Sequence, residues 1–419
     1  MTRPRLGLIF LIVLVDIISF SMLVPVLPYL ALSLGASTEQ AGLLTGLYAL
    51  CQFVGAPILG RLSDTFGRKP MFLLDIAANI IGFVILASAN SLWMLFLARF
   101  IAGCMSANIP IAQAYIADIT TPENRSNAIG ILGAAFGLGF TIGPAFGGIL
   151  SKYGYTYPAL LSALLCVVNF LIIILFLPES VHKHNAEAPL NELDDRKGSP
   201  VRSFVPPSRS LVDISLIRRI AGDSRIATLL VFWVTFSIAF AMFQQNIALF
   251  NKLHLNLTPK ETGFIFTWIG VLVFAMQAGV LRLMTKRFSD EQLILLSAPL
   301  LALSLLIWAF APSWLVLVLL LVPLCFAAST LITVINSMLT KLVAPADVGG
   351  AMGIAGAIDN STRFITAFSG GVLLQRIGTF APGIVAALVM GLGIALLRGG
   401  NTNPSIEPEQ QTTSERQQG

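Results

Sequence analysis

Asp16 stands about ten residues into an unbroken apolar run, Leu6 to Leu30, a depth of roughly 15 Å along a helix. A charge carried to the centre of a lone helix in hydrocarbon costs at least about 2.5 to 3.5 kcal/mol. An acid there either exchanges a proton as its exposure alternates between two sides, or is a structural carboxylate held by a cation or by backbone groups. Arg99, in the outer half of another run, is the cation that could modulate it. Asp359 and Arg363 lie four apart on one helix face, and either form an intrahelical bridge or take part in coupling. Gln244, Gln245, Asn246 and Gln277, near Phe243, Trp268 and Phe274, are expected to line a central cavity suited to an amphipathic organic molecule. Buried amides must find partners in lipid, so helix-to-helix hydrogen bonds are the default for these and for Gln52, Asn108, Gln113, Asn336 and Asn360.

The densest polar stretch between apolar runs is Gly60-Arg-Leu-Ser-Asp-Thr-Phe-Gly-Arg-Lys-Pro70. It reads as a loop between two membrane helices, with its tight turn at Gly67. Asp64 falls where it could cap the following helix or meet the positive N-terminal end of another. With Arg68 and Lys69 it forms either a latch made in one conformation and broken in the other, or a plain topology signal.

The elements that carry these groups follow from composition. The chain has 419 residues, 56% of them hydrophobic and 11% charged, and its mean hydropathy is +0.82. No soluble core hides that much apolar surface, and runs of about 20 apolar residues are the length that crosses a bilayer. Twelve are present: Leu6 to Leu30, Ala41 to Leu59, Met71 to Ala89, Leu92 to Ile116, Asn127 to Leu150, Pro158 to Leu177, Ile226 to Phe250, Thr262 to Met284, Leu293 to Ala311, Trp314 to Leu339, Gly350 to Leu374 and Thr379 to Leu397. The first run, long and without a small-residue cleavage site behind it, is not expected to be a signal peptide.

The expected fold is an all-α membrane protein with 12 transmembrane helices in two pseudo-symmetric six-helix bundles, residues 1–178 and 226–398. A polar linker, 179–225, joins them, and a polar tail, 399–419, reads as disordered. Within the linker, Leu211, Ile214, Ile217 and Ile220 beside Arg218 and Arg219 suit either a short helix on the headgroup surface or a basic flank to the seventh span.

With both termini cytoplasmic, only Lys152, Lys252, Lys260 and Arg376 of the 26 Lys and Arg face out, while Arg99 and Arg363 lie within spans. The expected host is a cell (inner) membrane. The net charge of +5 is then a topology signal and an attraction for anionic lipid, with no nucleic acid implied. Cys51, Cys104, Cys166 and Cys325 fall in apolar spans as small hydrophobes, without a disulfide. His182, His184 and His254 have no ligand partners at metal-binding spacing, so neither a metal nor a cofactor is expected. A membrane enzyme is disfavoured too, since the loops hold no nucleophile and base or phosphate loop.

Glycines point to an internal repeat. Gly130, Gly133, Gly147 and Gly148 recur as Gly353, Gly356, Gly370 and Gly371, each 223 positions on, and a weaker echo of the charged loop is seen at Gly279, Leu281, Lys286 and Arg287. Repeated helix bundles with a site between them near mid-membrane are a transporter architecture.

Gly60-x-Leu62-x-Asp64-x-x-Gly67-Arg68-Lys69 resembles the signature loop of the major facilitator superfamily, between the second and third helices of its drug:proton antiporters. Gly137 and Gly139, then Gly143-Pro144-Ala-Phe-Gly147-Gly148, resemble the antiporter motif of the fifth helix. Asp16 with Pro25 and Pro28, Arg99 to Gly103, Tyr115 to Asp118, Glu123 to Arg125 and Leu177 to Ser180 look like the tetracycline-type efflux branch. The resemblance implies a small-molecule substrate exchanged for protons, Asp118 paired with Arg68, and Asp64 set against the N-terminal end of the eleventh helix. It departs from that branch where the third and ninth helices carry acids used in transport. Gly82 and Leu301 stand there, and the nearest acid, Asp75, lies about a turn inside the third helix. The sequence therefore predicts an exporter of a small amphipathic compound, by alternating access in exchange for protons. An uptake carrier on the same fold is the alternative, and a receptor-like member that moves nothing is a weaker one.

Overall fold

The computed structural model describes residues 2–180, 224–343 and 347–399. The surface helix expected near Leu211 to Ile220, nearly all of the linker and the tail lie outside the described residues. No strand occurs among those described.

The first span is two helices, α1 (Thr2–Leu23) and α2 (Leu27–Ser33). Pro25 and Pro28 have no N–H to give the ladder; Pro25 falls in the break, and Pro28 sits in the first turn of α2, where no bond is missed. Next come α3 (Thr38–Phe66) and α4 (Arg68–Ala87). The fourth span is again divided, into α5 (Leu92–Cys104) and α6 (Asn108–Ile119), with Met105, Ser106 and Ala107 out of the helix. The fifth and sixth are α7 (Pro122–Leu150) and α8 (Thr156–Phe176).

The seventh is α9 (Ser224–Leu253), and the eighth runs through α10 (Pro259–Ala275), one π-helical turn at Met276–Val280 and α11 (Leu281–Arg287). Then follow α12 (Asp290–Ala309), α13 (Trp314–Leu342), α14 (Val348–Arg376) and α15 (Ala381–Gly399). Ten of these spans, the divided first and fourth among them, are long and apolar enough to cross a membrane. The other two are the eighth, interrupted by the π turn, and α14, which carries Asp359, Arg363 and a dense set of glycines. Reciprocal Ser/Thr and Gln/Glu capping boxes start α3, α10 and α12.

Buried apolar side chains fall into two clusters. One draws on residues from Ile9 to Leu177 together with Leu249 and Leu374, the other on Ile226 to Met390. Large apolar residues such as Leu175, Leu283, Leu319 and Leu388 stand on the outside, the surface of a protein whose solvent is lipid.

The stretch Gly60–Pro70, expected as a loop, is helix on both sides of a single residue. α3 continues to Phe66, Gly67 turns the chain at φ 105°, and α4 starts at once with Arg68. Asp64 therefore belongs to the last turn of α3 and does not cap α4. Pro70 falls in the first turn of α4, where its missing N–H has no acceptor to lose.

Among the described residues, the two clusters meet tightly at one end of the bundle. At the Gly148 end, a Cβ on Gly42 would strike the Ala367 carbonyl, and one on Gly371 would lie 2.7 Å from the Thr38 carbonyl. Gly148 and Gly263 similarly meet backbone to backbone. Arg376 Nε bonds Glu39 Oε1 at 2.8 Å, the Glu39 N–H donates to Gln375 Oε1 at 3.1 Å, and Tyr29 donates to the Leu257 carbonyl at 2.9 Å. At the Gly67 end, Gly130, Gly353 and Gly356 face open space and Gly133 faces only the Gln277 side chain. Among the described residues the bundle is sealed at one end and open at the other.

Candidate functional site

At the open end, Arg68 is a hub. Its side chain is 9% exposed, with Nη1 2.6 Å from Asp64 Oδ1 and 2.6 Å from Ser63 Oγ, and Nε 3.1 Å from Asp118 Oδ2. Asp118 also accepts from Ser180 Oγ at 2.9 Å. Asp64 is 56% exposed and pairs with Arg68 across the Gly67 turn between α3 and α4. Gly60 has open space where a Cβ would be.

A residue whose part the sequence did not reveal completes this corner. Glu179, beyond the end of α8, accepts the backbone N–H of Arg68 at 2.8 Å and of Lys69 at 3.1 Å, capping α4 across 111 residues. Gly67 is needed here, since a Cβ would lie 2.5 Å from the Glu179 carboxylate. Lys69 Nζ reaches the Ile174 carbonyl at 2.8 Å. Glu179→Ala is expected to cost about 1 kcal/mol, as loss of an N-terminal cap does, and the thermal midpoint of the purified protein checks it.

In the first cluster, polar groups gather around the break in the fourth span. Asp16, 7% exposed, accepts a hydrogen bond from Asn108 Nδ2. Asp75, 1% exposed, accepts from Asn79 Nδ2 at 3.4 Å, and its Oδ2 has no hydrogen-bond partner among the described residues. Ser106, inside the break, is bonded by Tyr48 Oη at 2.8 Å and by Gln52 Nε2 at 3.0 Å. Arg99 is not paired with Asp16. Its guanidinium lies over the rings of Phe20 and Tyr48, 6.0 and 5.5 Å from their centres, a cation–π arrangement.

α7 works on two sides. Gly139, Gly143 and Gly147, one residue per turn, let α1 approach until a Cβ would strike Ile17, Ser21 and Met22 in turn. Ser21 Oγ donates to the Gly139 carbonyl at 3.0 Å across that contact. Gly148 and the Pro144 carbonyl instead meet Gly263 of α10, and Gly137 faces Phe274.

The second cluster holds a cavity of about 310 Å³. Its wall is formed by Trp233, Phe236, Phe240 and Gln244 in series along α9, with Asn336 of α13 and Asp359 and Arg363 of α14. The expected wall is thus corrected in part. Asn246 is fully buried and bonds the Met242 and Thr366 carbonyls, pinning α9 to α14. Gln245 does not line the cavity, and Gln277 faces Gly133 of α7. Asp359 and Arg363 form no bridge, because Asp359 Oδ1 takes Ser237 Oγ at 2.6 Å from the facing helix. No group of His, Cys, Asp and Glu among the described residues could hold a metal ion.

The model of the Major Facilitator Superfamily matches residues 9–297 and 246–418. Tetracycline resistance protein class C of Escherichia coli is 32% identical over 299 residues, 71% of each chain. Human solute carrier family 67 member A1 is 28% identical over 384 residues, covering 89% of this chain and 86% of its own. Among solved structures, the human organic anion transporter MFSD10 (TETRAN) superposes with a TM-score of 0.67 at 21% identity, over 94% of this chain and 99% of its own. A POT family transporter in complex with 5-aminolevulinic acid gives 0.75 at 14% identity, over 94% and 96%.

Proposed function

Because the chain belongs to the Major Facilitator Superfamily, and is therefore an integral membrane transporter and no enzyme, we propose that it exports a small amphipathic organic compound in exchange for protons. The observation that carries the proton half is Asp16, buried in mid-span with an amide for its partner and, among the described residues, no ion pair to fix its charge. A carboxyl held that way can change its protonation state without breaking a salt bridge. The cavity supports the substrate half, since a wall that combines a row of three aromatic rings with a carboxylate, a guanidinium and two amides suits a molecule with apolar and polar parts.

Direction rests on the names of the tetracycline resistance relatives and on the Gly-Pro-x-x-Gly-Gly ridge of α7. On this reading the Gly67 end is cytoplasmic, as are both termini, the host is the cell membrane, and the state described is inward-facing. Export then proceeds by rocking of the halves about the cavity. The Arg68 cluster is a conformational latch, open here, that closes when Asp64 meets the start of α14. The electrical part of the gradient supplies about 2.3 kcal/mol per charge per 100 mV.

Inverted membrane vesicles test the proposal. Acidifying their lumen should drive accumulation of candidate amphipathic drugs, and collapse of the pH gradient should release them. Proton-driven accumulation of the same compounds in whole cells would overturn export in favour of uptake.

A further inference from the structure

We infer that the cavity of the second cluster takes an amphipathic zwitterion, with its cationic group on Asp359 and its acidic group on Arg363. The inference deepens the export reading above by naming a substrate class, and rests on it only for the step from binding to transport.

Two opposite charges stand in this wall and do not neutralise each other. Asp359 and Arg363 are four residues apart on α14, about 6 Å along its axis, a spacing at which opposite charges ordinarily pair. Here the carboxylate is drawn to the facing helix, where Asp359 Oδ1 accepts from Ser237 Oγ at 2.6 Å. That length suits a hydroxyl on an ionised carboxylate. The Arg363 guanidinium carries its charge at any physiological pH. It is exposed on the cavity wall, and among the described residues no acceptor holds it.

Bonds between α9 and α14 fix the level of each charge. Trp233 Nε1 donates to the Ala355 carbonyl at 3.5 Å, Ser237 to Asp359, and Asn246 Nδ2 to the Thr366 carbonyl at 3.1 Å. Asp359 therefore stands at the level of the aromatic row, since Ser237 lies between Phe236 and Phe240, whose rings stack at 5.8 Å. Arg363 falls between the second and third of these bonds, level with the stretch from Phe240 to Gln244. An ammonium at Asp359 has aromatic neighbours as well as the carboxylate, and an acid group at Arg363 has the Gln244 amide in the same wall. Gly356, one turn before Asp359, has open space where a Cβ would be, which leaves room for the ligand.

Selectivity follows from what a ligand would leave behind. Any molecule in this space shields both charges from solvent. One that carries a single charge pairs with Asp359 or Arg363 and leaves the other covered without a partner, the costly arrangement for a polar group. A zwitterion leaves neither uncompensated.

Calorimetric titration of the purified full-length protein reads this directly, without a gradient. Tryptophan, tryptamine and indole-3-propionate share one skeleton and carry both charges, the cation alone and the anion alone. Tryptophan should bind at least about tenfold more tightly than either of the others. Arg363→Gln should turn the preference to tryptamine, and Asp359→Asn should turn it to indole-3-propionate, whereas a damaged fold would weaken all three together. Thermal midpoint identifies a variant that has not folded, and the wild-type order with the remaining variant then decides. Binding of a singly charged compound as tight as that of tryptophan, one unchanged order in all three proteins, or no binding of any compound at millimolar concentration overturns the zwitterion class. If the order holds but acidified inverted vesicles accumulate no tryptophan, proton-driven export fails and the zwitterion site stands. If those vesicles accumulate tryptamine alone, export stands and the zwitterion class falls.

Discussion

Gly371→Leu should abolish closure of the sealed end and reduce transport about 100-fold. Gly371 sits where α14 crosses α3, with the Thr38 carbonyl 2.7 Å and the Gly42 Cα 3.3 Å from where its Cβ would be. Both neighbours are backbone and cannot turn aside, so the added side chain must part the helices. Overpacking of this kind costs about 1 to 3 kcal/mol, and roughly 2.7 kcal/mol is a hundredfold in a population. Sealing is what the glycine permits, so the loss falls on the sealed state and leaves the other favoured. A cysteine at Gly356, on the cavity wall, reports the change. A membrane-impermeant thiol reagent should reach it from the Gly67 end in the parent and from the Gly148 end in the variant. Labelling from the original side with transport intact would show that the crossing does not govern access.

Arg68→Met should be the most destabilising single change at the open end. The methionine fills the space of the stem, but Asp118 is left with Ser180 alone and Ser63 loses its donor. Removing one partner of a buried charge pair costs about 3 to 5 kcal/mol. Asp118 is 27% exposed and Asp64 more so, which brings the expectation nearer to about 2 to 3 kcal/mol, a fall of several degrees in thermal midpoint. Arg68→Lys should not rescue it, because a single ammonium cannot reach Ser63, Asp64 and Asp118 as a planar fork does. A wild-type midpoint in Arg68→Met would reduce the cluster to surface charge.

Much of the fold was legible because a bilayer imposes its length on the chain. Each of the twelve apolar runs corresponds to one crossing segment, α1 with α2 and α5 with α6 counting as single spans. What sequence did not convey were the exceptions to continuous helix. Glycine and charge at Gly60–Pro70 read as a loop, yet a helix tolerates cations in its first turn and has no use there for the N–H that Pro70 lacks. The polar cluster at Ser106 and Asn108 depends on the break in the fourth span, whose signal in the sequence is Pro110, since its ring and missing N–H exclude a helical bond to the Ser106 carbonyl. The spacing of Asp359 and Arg363 placed both on one face, but spacing is silent about Ser237 on the facing helix, which took the carboxylate instead. Glu179 was visible as part of a family resemblance and its capping role was not, since a cap supplied from 111 residues away leaves no local pattern.

The four glycines that recur 223 positions on divide into a half that is packed and a half that is idle. In an idle position, Gly130 or Gly353, a helix gains about 1 kcal/mol from alanine, and nothing in the present state opposes the exchange. In the alternating cycle proposed above, the seal passes to the other end, the same positions become the crossing, and the added methyl group stands in the way. Heat resistance and turnover would therefore rank substitutions at these positions in opposite orders. A variant chosen for robustness in detergent would be one stranded halfway through its cycle.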